Sequence, residues 1–119
     1  MKRTRLLIVE DSELAASALR LLFEESGYEV SIALSVKNAV ELGIEQRPDV
    51  MLLDLTLPDG DGLTALQRLR DANCAPRNTI ALTGHDDDEM HARCIDAGCA
   101  EVLLKPVPIA QLLALVRSL

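Results

Sequence analysis

Five polar side chains that could do chemistry together lie where short apolar runs of this sequence end. They are the carboxylates of Glu10, Asp11 and Asp54, the hydroxyl of Thr83 and the ammonium group of Lys105. Three carboxylates brought close together repel one another at neutral pH, so either their pKa values rise or a cation lies among them. An oxygen-only ligand set favours a hard divalent ion such as Mg²⁺, which binds a few carboxylates and keeps some of its waters.

A carboxylate in such a site can act as a nucleophile and take up a phosphoryl group as an acyl phosphate. We expect Asp54 to be that nucleophile, because it ends the central apolar run of the chain. Lys105 brings a positive point charge that can neutralise a phosphoryl group in transfer. The hydroxyl of Thr83 can donate a hydrogen bond to a phosphoryl oxygen. The set therefore indicates phosphoryl transfer to an aspartate.

Apolar runs and stretches with helical periodicity alternate along the whole chain. Five runs predict strands, at residues 6–9, 29–33, 50–53, 79–83 and 102–104. Helices are predicted to begin near residues 13, 35, 63, 86 and 109. Strict alternation of this kind is typical of an α/β fold with a doubly wound, five-stranded parallel sheet and helices on both faces. Ligands bind outside the carboxyl ends of such strands, so the five polar side chains should converge on one crevice.

Local patterns predict the buried helix faces and one helix start. In the first helix, apolar residues at helical spacings should form the buried face, namely Leu14, Ala18, Leu21 and Leu22. The second helix should bury Val36, Ala39, Val40 and Ile44 in the same way. Asp86 and Glu89 have the spacing of a capping box and predict the start of the fourth helix.

The composition is that of a globular domain and excludes several function classes. The chain has 119 residues, 49% of them hydrophobic and 26% charged, so we expect one domain over residues 1–119 and no output domain. Its formal net charge of −7 argues against direct binding to nucleic acid and against an anionic membrane surface. No apolar run reaches the roughly 18 residues of a membrane span. Three cysteines without a framework spacing predict buried free thiols and a cytoplasmic location.

Six short motifs occur in order along the chain. They are residues 6–11 (LLIVED), Asp54, residues 57–62 (LPDGDG), residues 82–84 (LTG), residues 97–98 (AG) and residues 104–106 (LKP). With this set at these separations, the sequence resembles a response-regulator receiver domain over essentially its whole length. The resemblance implies the flavodoxin-like strand order 2-1-3-4-5. It also implies two-component signalling, in which a histidine kinase or histidine phosphotransfer protein supplies a phosphoryl group from a phosphohistidine and the receiver takes it up with Mg²⁺ bound.

The resemblance further implies a role for each residue of the site. Asp54 matches the phosphoacceptor, and Thr83 and Lys105 match the residues that hold the phosphoryl group. The implied metal ligands are Glu10, Asp11, Asp54 and the backbone carbonyl of Thr56. Such a receiver catalyses its own phosphorylation and dephosphorylation. We expect no turnover of external substrates, because phosphatases with an aspartate nucleophile normally carry a second acid two residues later, where this chain has Thr56.

Val102 departs from the family pattern. Family members usually carry an aromatic residue three positions before the lysine, and its rotation reports phosphorylation. A conformational output would therefore have to use the backbone or other side chains. This leaves open the alternative of a degenerate receiver that works as an interaction module without phosphorylation. The resemblance also raises two possibilities common in the family, a receiver of a hybrid sensor histidine kinase and a homodimer formed through the last two helices and the fifth strand.

Overall fold

The computed structural model describes residues 3–85 and 87–119. Its strands are β1 (Arg5–Val9), β2 (Glu29–Ala33), β3 (Val50–Asp54), β4 (Thr56–Leu57), β5 (Gly60–Asp61), β6 (Asn78–Thr83) and β7 (Glu101–Leu104). Its helices are α1 (Glu13–Glu25), α2 (Val36–Gln46), α3 (Gly62–Asp71), α4 (Asp88–Ala97) and α5 (Ile109–Arg117). Each predicted strand and helix is present. Among the described residues, no helix combines the length and the apolarity that crossing a bilayer demands.

Five strands form one parallel sheet in the order β2-β1-β3-β6-β7. Counted among themselves, these strands have the order 2-1-3-4-5, so the predicted doubly wound, flavodoxin-like fold is confirmed. The remaining two strands, β4 and β5, pair antiparallel in a short hairpin directly after β3. Pro58 and Asp59, both turn-forming residues, connect these two strands. The central strand β3 is buried at all five positions, as its unbroken apolar run suggests.

Helices cover both faces of the sheet because successive strand residues point to opposite sides. On one side, Leu7 and Leu53 belong to a buried cluster that includes residues of α2, α3 and α4. On the other side, Ile8 and Leu52 belong to a second cluster, which includes residues of α1 and α5. The two apolar layers hold the sheet rigidly between them, and the carboxyl ends of its strands remain accessible at one edge.

The predicted buried face of α1 is wrong at three of its four residues, and the fourth, Leu22, is partly buried. Leu14 is 84% exposed and Leu21 is 62% exposed, and Ala18 is also exposed. The helix instead buries Ala16 and Phe23, which lie seven residues apart. Phe23 determines this orientation because it is the largest fully buried side chain, and its ring packs edge-to-face on Tyr28 at 5.5 Å.

The predicted face of α2 needs one correction, because Ile44 is 44% exposed. Its neighbour Gly43 is buried instead, and a Cβ atom there would lie only 2.6 Å from a methyl carbon of Leu69 on α3. Glycine therefore allows the two helices to pack closely. The predicted cap residue Asp86 lies outside the described residues. The observed cap of α4 is Asp87, whose carboxylate accepts a hydrogen bond from the backbone of Met90 at 2.7 Å.

The three cysteines are free and buried, as predicted. Burial raises the pKa of the Cys99 thiol to about 12. A thiol in that environment stays protonated at neutral pH and is a poor nucleophile. The Cys99 side chain therefore acts as a packing residue.

Candidate functional site

The parallel sheet brings four of the predicted side chains to one edge. Asp54 is the last residue of β3 and Thr83 is the last residue of β6, while Glu10 follows β1 and Lys105 follows β7. Backbone hydrogen bonds extend the ladder past the strand ends, for example from the Lys105 nitrogen to the Thr83 carbonyl oxygen at 2.7 Å. The polar side chains are thus held on backbone that is fixed by the sheet.

Three carboxylates meet at this edge. Glu10, Asp11 and Asp54 each present an oxygen, and these oxygens lie within 4.8 Å of one another. The burial of the group is graded, because Asp54 is only 5% exposed, Glu10 is partly buried and Asp11 is exposed. The predicted proximity of the three acids is therefore observed. The cluster is therefore shielded from solvent at Asp54 and open to solvent at Asp11.

Lys105 reaches into the acid cluster. Its Nζ donates a hydrogen bond to Oδ2 of Asp54 at 2.8 Å and lies 3.7 Å from Oε1 of Glu10. Burial by itself lowers the pKa of Lys105, but the hydrogen bond to Asp54 and the two nearby carboxylates outweigh this effect and raise it. The side chain is therefore an ammonium ion at neutral pH. It compensates part of the negative charge, and three carboxylates still face one cation.

The excess negative charge of the cluster affects the pKa of Glu10. Burial raises the pKa of its carboxyl group, and a hydrogen bond with Asp54 raises it further, although Lys105 partly opposes both effects. A raised pKa means that the site binds a proton more readily than an ordinary glutamate does. A bound cation would satisfy the same demand. The oxygen donors and the uncompensated charge thus fit Mg²⁺, which prefers carboxylate ligands.

A second hydrogen bond fixes the carboxylate oxygen of Asp54 that Lys105 does not contact. The backbone nitrogen of Thr56 donates to its Oδ1 at 3.1 Å, so each carboxylate oxygen of Asp54 has a fixed partner. Gly62 packs directly against the same residue, because a Cβ atom at Gly62 would collide with the backbone oxygen of Asp54. The nitrogen of Gly62 also donates to the carbonyl of Leu55 at 2.9 Å. The start of α3 therefore buttresses the backbone that carries Asp54.

Asp59 is a positioning residue that the sequence analysis missed. Its two carboxylate oxygens accept hydrogen bonds from the backbone nitrogens of Val36 at 2.7 Å and Lys37 at 3.1 Å, at the start of α2. These bonds hold the pKa of Asp59 below its ordinary value. They tie the hairpin that follows Asp54 to a neighbouring helix. The cap of α2, Ser35, marked the helix start, but only the folded chain brings Asp59 to it.

The predicted roles of Thr83 and Thr56 stay predictions. Thr83 is buried, and its hydroxyl accepts a hydrogen bond from the backbone nitrogen of His85 at 3.0 Å. In the described part of the chain, the Thr83 hydroxyl forms no hydrogen bond with Asp54 or Lys105, although the Thr83 backbone carbonyl accepts one from the Lys105 nitrogen. The Thr56 side chain is exposed, and its residue contributes the backbone nitrogen described above. The Lys105–Pro106 peptide bond is cis.

A cavity of about 240 Å³ lies beside Thr83, between β7 and the start of α4. Val102 lines it together with His85 and His91. The short valine side chain occupies the position at which the family pattern expects an aromatic ring. Among the described residues that line this cavity next to Thr83, none is a phenylalanine, tyrosine or tryptophan.

The family model for the response regulator receiver domain matches residues 6–117. The chain therefore belongs to the response regulator receiver domain family, as the resemblance predicted. This class of domain is part of two-component systems, and the sheet order and the acid cluster agree with it.

Comparisons with individual proteins also find response regulators and their receiver domains. The chain is 33% identical over 116 residues to the DNA-binding dual master transcriptional regulator RpaA of Synechocystis. The match covers 97% of this chain and 48% of that protein. It superimposes on the Francisella response regulator 1452 receiver domain with a TM-score of 0.89, at 28% identity, covering 98% of this chain and 95% of that one. A response regulator from Burkholderia pseudomallei, solved with a phosphorylated aspartic acid, calcium ion and citrate, has a TM-score of 0.83 at 26% identity, covering 93% and 65%.

Proposed function

We propose that this domain takes a phosphoryl group from a phosphohistidine donor onto Asp54, with Mg²⁺ bound, and thereby changes its binding to partners. One observation carries the proposal. Asp54 is a buried carboxylate whose two oxygens are fixed by the Thr56 nitrogen and the Lys105 ammonium group. It lies inside a cluster of acids at the carboxyl edge of the sheet. The described phosphorylated aspartic acid and calcium ion of the Burkholderia protein support the proposal.

The transfer requires a nucleophile, a leaving group and charge compensation. A carboxylate oxygen of Asp54 forms a bond to phosphorus while the bond from phosphorus to the donor imidazole breaks, and the imidazole nitrogen keeps the electron pair. The Lys105 ammonium group can move from the Asp54 carboxylate to the phosphoryl oxygens and neutralise their charge. Its flexible side chain already contacts both Asp54 and Glu10. The hydroxyl of Thr83 can rotate to donate to a phosphoryl oxygen.

Glu10, Asp11, Asp54 and the Thr56 carbonyl are the proposed metal ligands. When bound, Mg²⁺ would supply positive charge at the phosphoryl oxygens and between the carboxylates. The graded burial of the three acids suits this role. Asp54 is enclosed by protein, whereas Asp11 is open to the solvent from which a hydrated ion and a donor would arrive.

The proposed donors are a histidine kinase and a histidine phosphotransfer protein. A homodimer through α4, β7 and α5 is also part of the proposal, since Ile95, Leu104 and Ile109 leave exposed apolar surface on those elements. We further propose a cytoplasmic location, which the buried free thiols support. Direct contact with nucleic acid is not proposed, because the domain carries a net charge of −7.

The function can be tested with a small phosphoryl donor. Incubation with acetyl phosphate and Mg²⁺ should raise the intact mass by one phosphoryl group, about 80 Da. The adduct should not form in EDTA. If neither acetyl phosphate nor a phosphorylated histidine phosphotransfer protein raised the mass, the chain would instead be an interaction module. Val102 is the feature that favours that alternative, because it lacks the aromatic ring of the family's switch.

The second prediction concerns Mg²⁺ and folding. Because three carboxylates lie within 4.8 Å and Lys105 compensates only part of their charge, Mg²⁺ should stabilise the native state. At ten times its Kd, the gain is about 1.4 kcal/mol, which raises the melting temperature of a domain this size by roughly 4–7 °C. Differential scanning calorimetry with NaCl at equal ionic strength as the control measures the effect.

Two variants locate the effect of Mg²⁺. Asp11→Asn should reduce the rise in melting temperature, since it removes one ligand at the exposed end of the cluster. Asp71→Asn should leave the rise unchanged, because Asp71 ends α3, is not part of the acid cluster, and has a carboxylate that accepts a hydrogen bond from Gln67 at 3.0 Å. A melting temperature that ignores millimolar Mg²⁺ would argue against the proposed metal site.

A further inference from the structure

A concave surface at the amino-terminal edge of the sheet has the opposite character to the acid cluster. It encloses a cavity of about 600 Å³, and five of the residues that line it are arginines, namely Arg3, Arg5, Arg47, Arg77 and Arg117. One acid, Asp49, lines it as well. The side chains that line this surface therefore carry a formal charge of +4, whereas the side chains of the whole chain sum to −7. We call this surface the arginine pocket.

The fold itself assembles the arginine pocket. β1, β3 and β6 are neighbours in the sheet and start in register. Residues at or just before their first positions, Arg5, Asp49 and Arg77, therefore lie side by side. Arg117 is added by the end of α5 and Arg47 by the residue after α2. Side chains that are distant in sequence thus converge on rigid backbone, as those of the acid cluster do at the other edge.

Asp49 neutralises only part of this charge. Its Oδ2 accepts a hydrogen bond from the backbone nitrogen of Arg5 at 2.9 Å, and its Oδ1 lies 3.7 Å from the guanidinium group of Arg77. The guanidinium group of Arg5 donates to the carbonyl of Gln46 at 2.6 Å and approaches Glu29 at 3.8 Å. The Arg5 side chain is therefore held by a backbone carbonyl, whereas Arg77 is exposed and has one carboxylate nearby.

The other three arginines of the pocket have no such partner. Among residues 3–85 and 87–119, no carboxylate forms a salt bridge with Arg3, Arg47 or Arg117. Their guanidinium groups keep unused donors next to a cavity large enough for a small organic ligand. Like charges placed together without an anion repel one another, so an anionic ligand would relieve this repulsion.

The backbone conformation of Arg47 is an independent indication that the pocket is a binding site. Arg47 follows α2 with φ 49° and ψ 61°, a left-handed conformation in which glycine or asparagine is favoured. A large charged side chain is present where a glycine would be less strained. Strained positions of this kind cluster at binding sites, and here the side chain lines the pocket.

We propose that the arginine pocket binds a small molecule that carries two or more phosphate groups. All five cations of the pocket are arginines, whose planar guanidinium groups can each donate two parallel hydrogen bonds to a phosphate. Several linked phosphates give such a ligand more than one anionic group with which the arginines of the pocket can pair. The site lies at the opposite edge of the sheet from Asp54, so the proposal does not depend on phosphorylation of that residue.

Isothermal titration calorimetry with sodium tripolyphosphate tests the proposal. The buffer contains EDTA, so that no metal bridges the ligand to the acid cluster. We expect saturable 1:1 binding that weakens as NaCl is raised. Arg117→Gln should weaken it at least about tenfold, because a charge-assisted contact is lost. Arg68→Gln is the matched control, since Arg68 is also in the last turn of a helix but does not line the pocket, and its binding should equal that of the wild type.

Arg47→Gly separates binding from folding. It should also weaken tripolyphosphate binding at least about tenfold, while the melting temperature should stay equal or rise, because glycine relieves the left-handed backbone. In a nitrogen–proton NMR titration, the amide signals of Tyr28 and Asn78 should shift, and that of Asp54 should not. Absence of saturable binding, equal affinity for citrate, or equal weakening by Arg68→Gln would overturn the proposal.

Discussion

The Asp54→Asn variant is expected to gain no phosphoryl mass under conditions in which the wild-type domain gains about 80 Da. The amide of asparagine is not a nucleophile towards phosphorus, whereas the carboxylate it replaces is. Intact mass spectrometry after incubation with acetyl phosphate and Mg²⁺ measures the difference. This is the largest effect that a single substitution should have on the proposed activity.

The loss should not result from unfolding. Asparagine has the shape of aspartate, and its side-chain oxygen can still accept the hydrogen bond that the Thr56 nitrogen donates to Asp54 at 3.1 Å. Lys105 loses its partner at 2.8 Å but retains Glu10 within 3.7 Å. Removing one of three crowded carboxylates also reduces their repulsion. The melting temperature in the absence of Mg²⁺ should therefore stay close to that of the wild type or rise.

An exposed acid provides the control for this variant. Asp71→Asn makes the same chemical change at the end of α3, and it should gain the phosphoryl mass as the wild type does. If Asp54→Asn also gained the mass, another group would be the acceptor. Glu10 and Asp11 would then be the first candidates, because their oxygens lie within 4.8 Å of Asp54. Peptide mapping of the adduct would distinguish them.

The sheet and its acid cluster could be predicted from sequence for one physical reason. Parallel strands place their carboxyl ends at a common edge, so Asp54, Glu10 and Lys105 had to come close once the apolar runs were recognised as neighbouring strands. The same reasoning applied to the residues before the strands would have found Arg5 and Arg77 at the other edge. The signal is present in the sequence, in the arginines at the start of β1 and directly before β6.

Other features depend on packing that no periodicity encodes. Two apolar stripes run along α1 at equivalent spacings, one through Leu14 and Leu21 and one through Ala16 and Phe23. Only the fit of the Phe23 ring in the core decides between them. The contact of Asp59 with the start of α2 likewise depends on the path of the hairpin after β3. These are tertiary effects, and local sequence patterns cannot specify them.

Gly62→Ala is expected to destabilise the domain strongly, by roughly 2–3 kcal/mol or more. A Cβ atom at this position would collide with the backbone oxygen of Asp54 and would lie 3.1 Å from the Cα atom of Leu55. Both neighbours are backbone atoms, so no side chain can rotate away to make room. The strain must move either the start of α3 or the end of β3. Denaturant unfolding followed by circular dichroism measures the loss of stability.

Gly84→Ala is the matched control, because a Cβ atom at Gly84 would meet no atom within 4 Å. Gly84 directly follows Thr83 at the same edge of the sheet, and the substitution should change stability by less than about 1 kcal/mol. Under conditions in which the Gly62→Ala protein is still folded, it should also be phosphorylated more slowly than the wild type. The displaced backbone would move the Asp54 carboxylate away from Lys105. A Gly62→Ala protein as stable as the wild type would mean that α3 does not buttress Asp54, and the proposed positioning of the nucleophile would then rest on Lys105 and Thr56 alone.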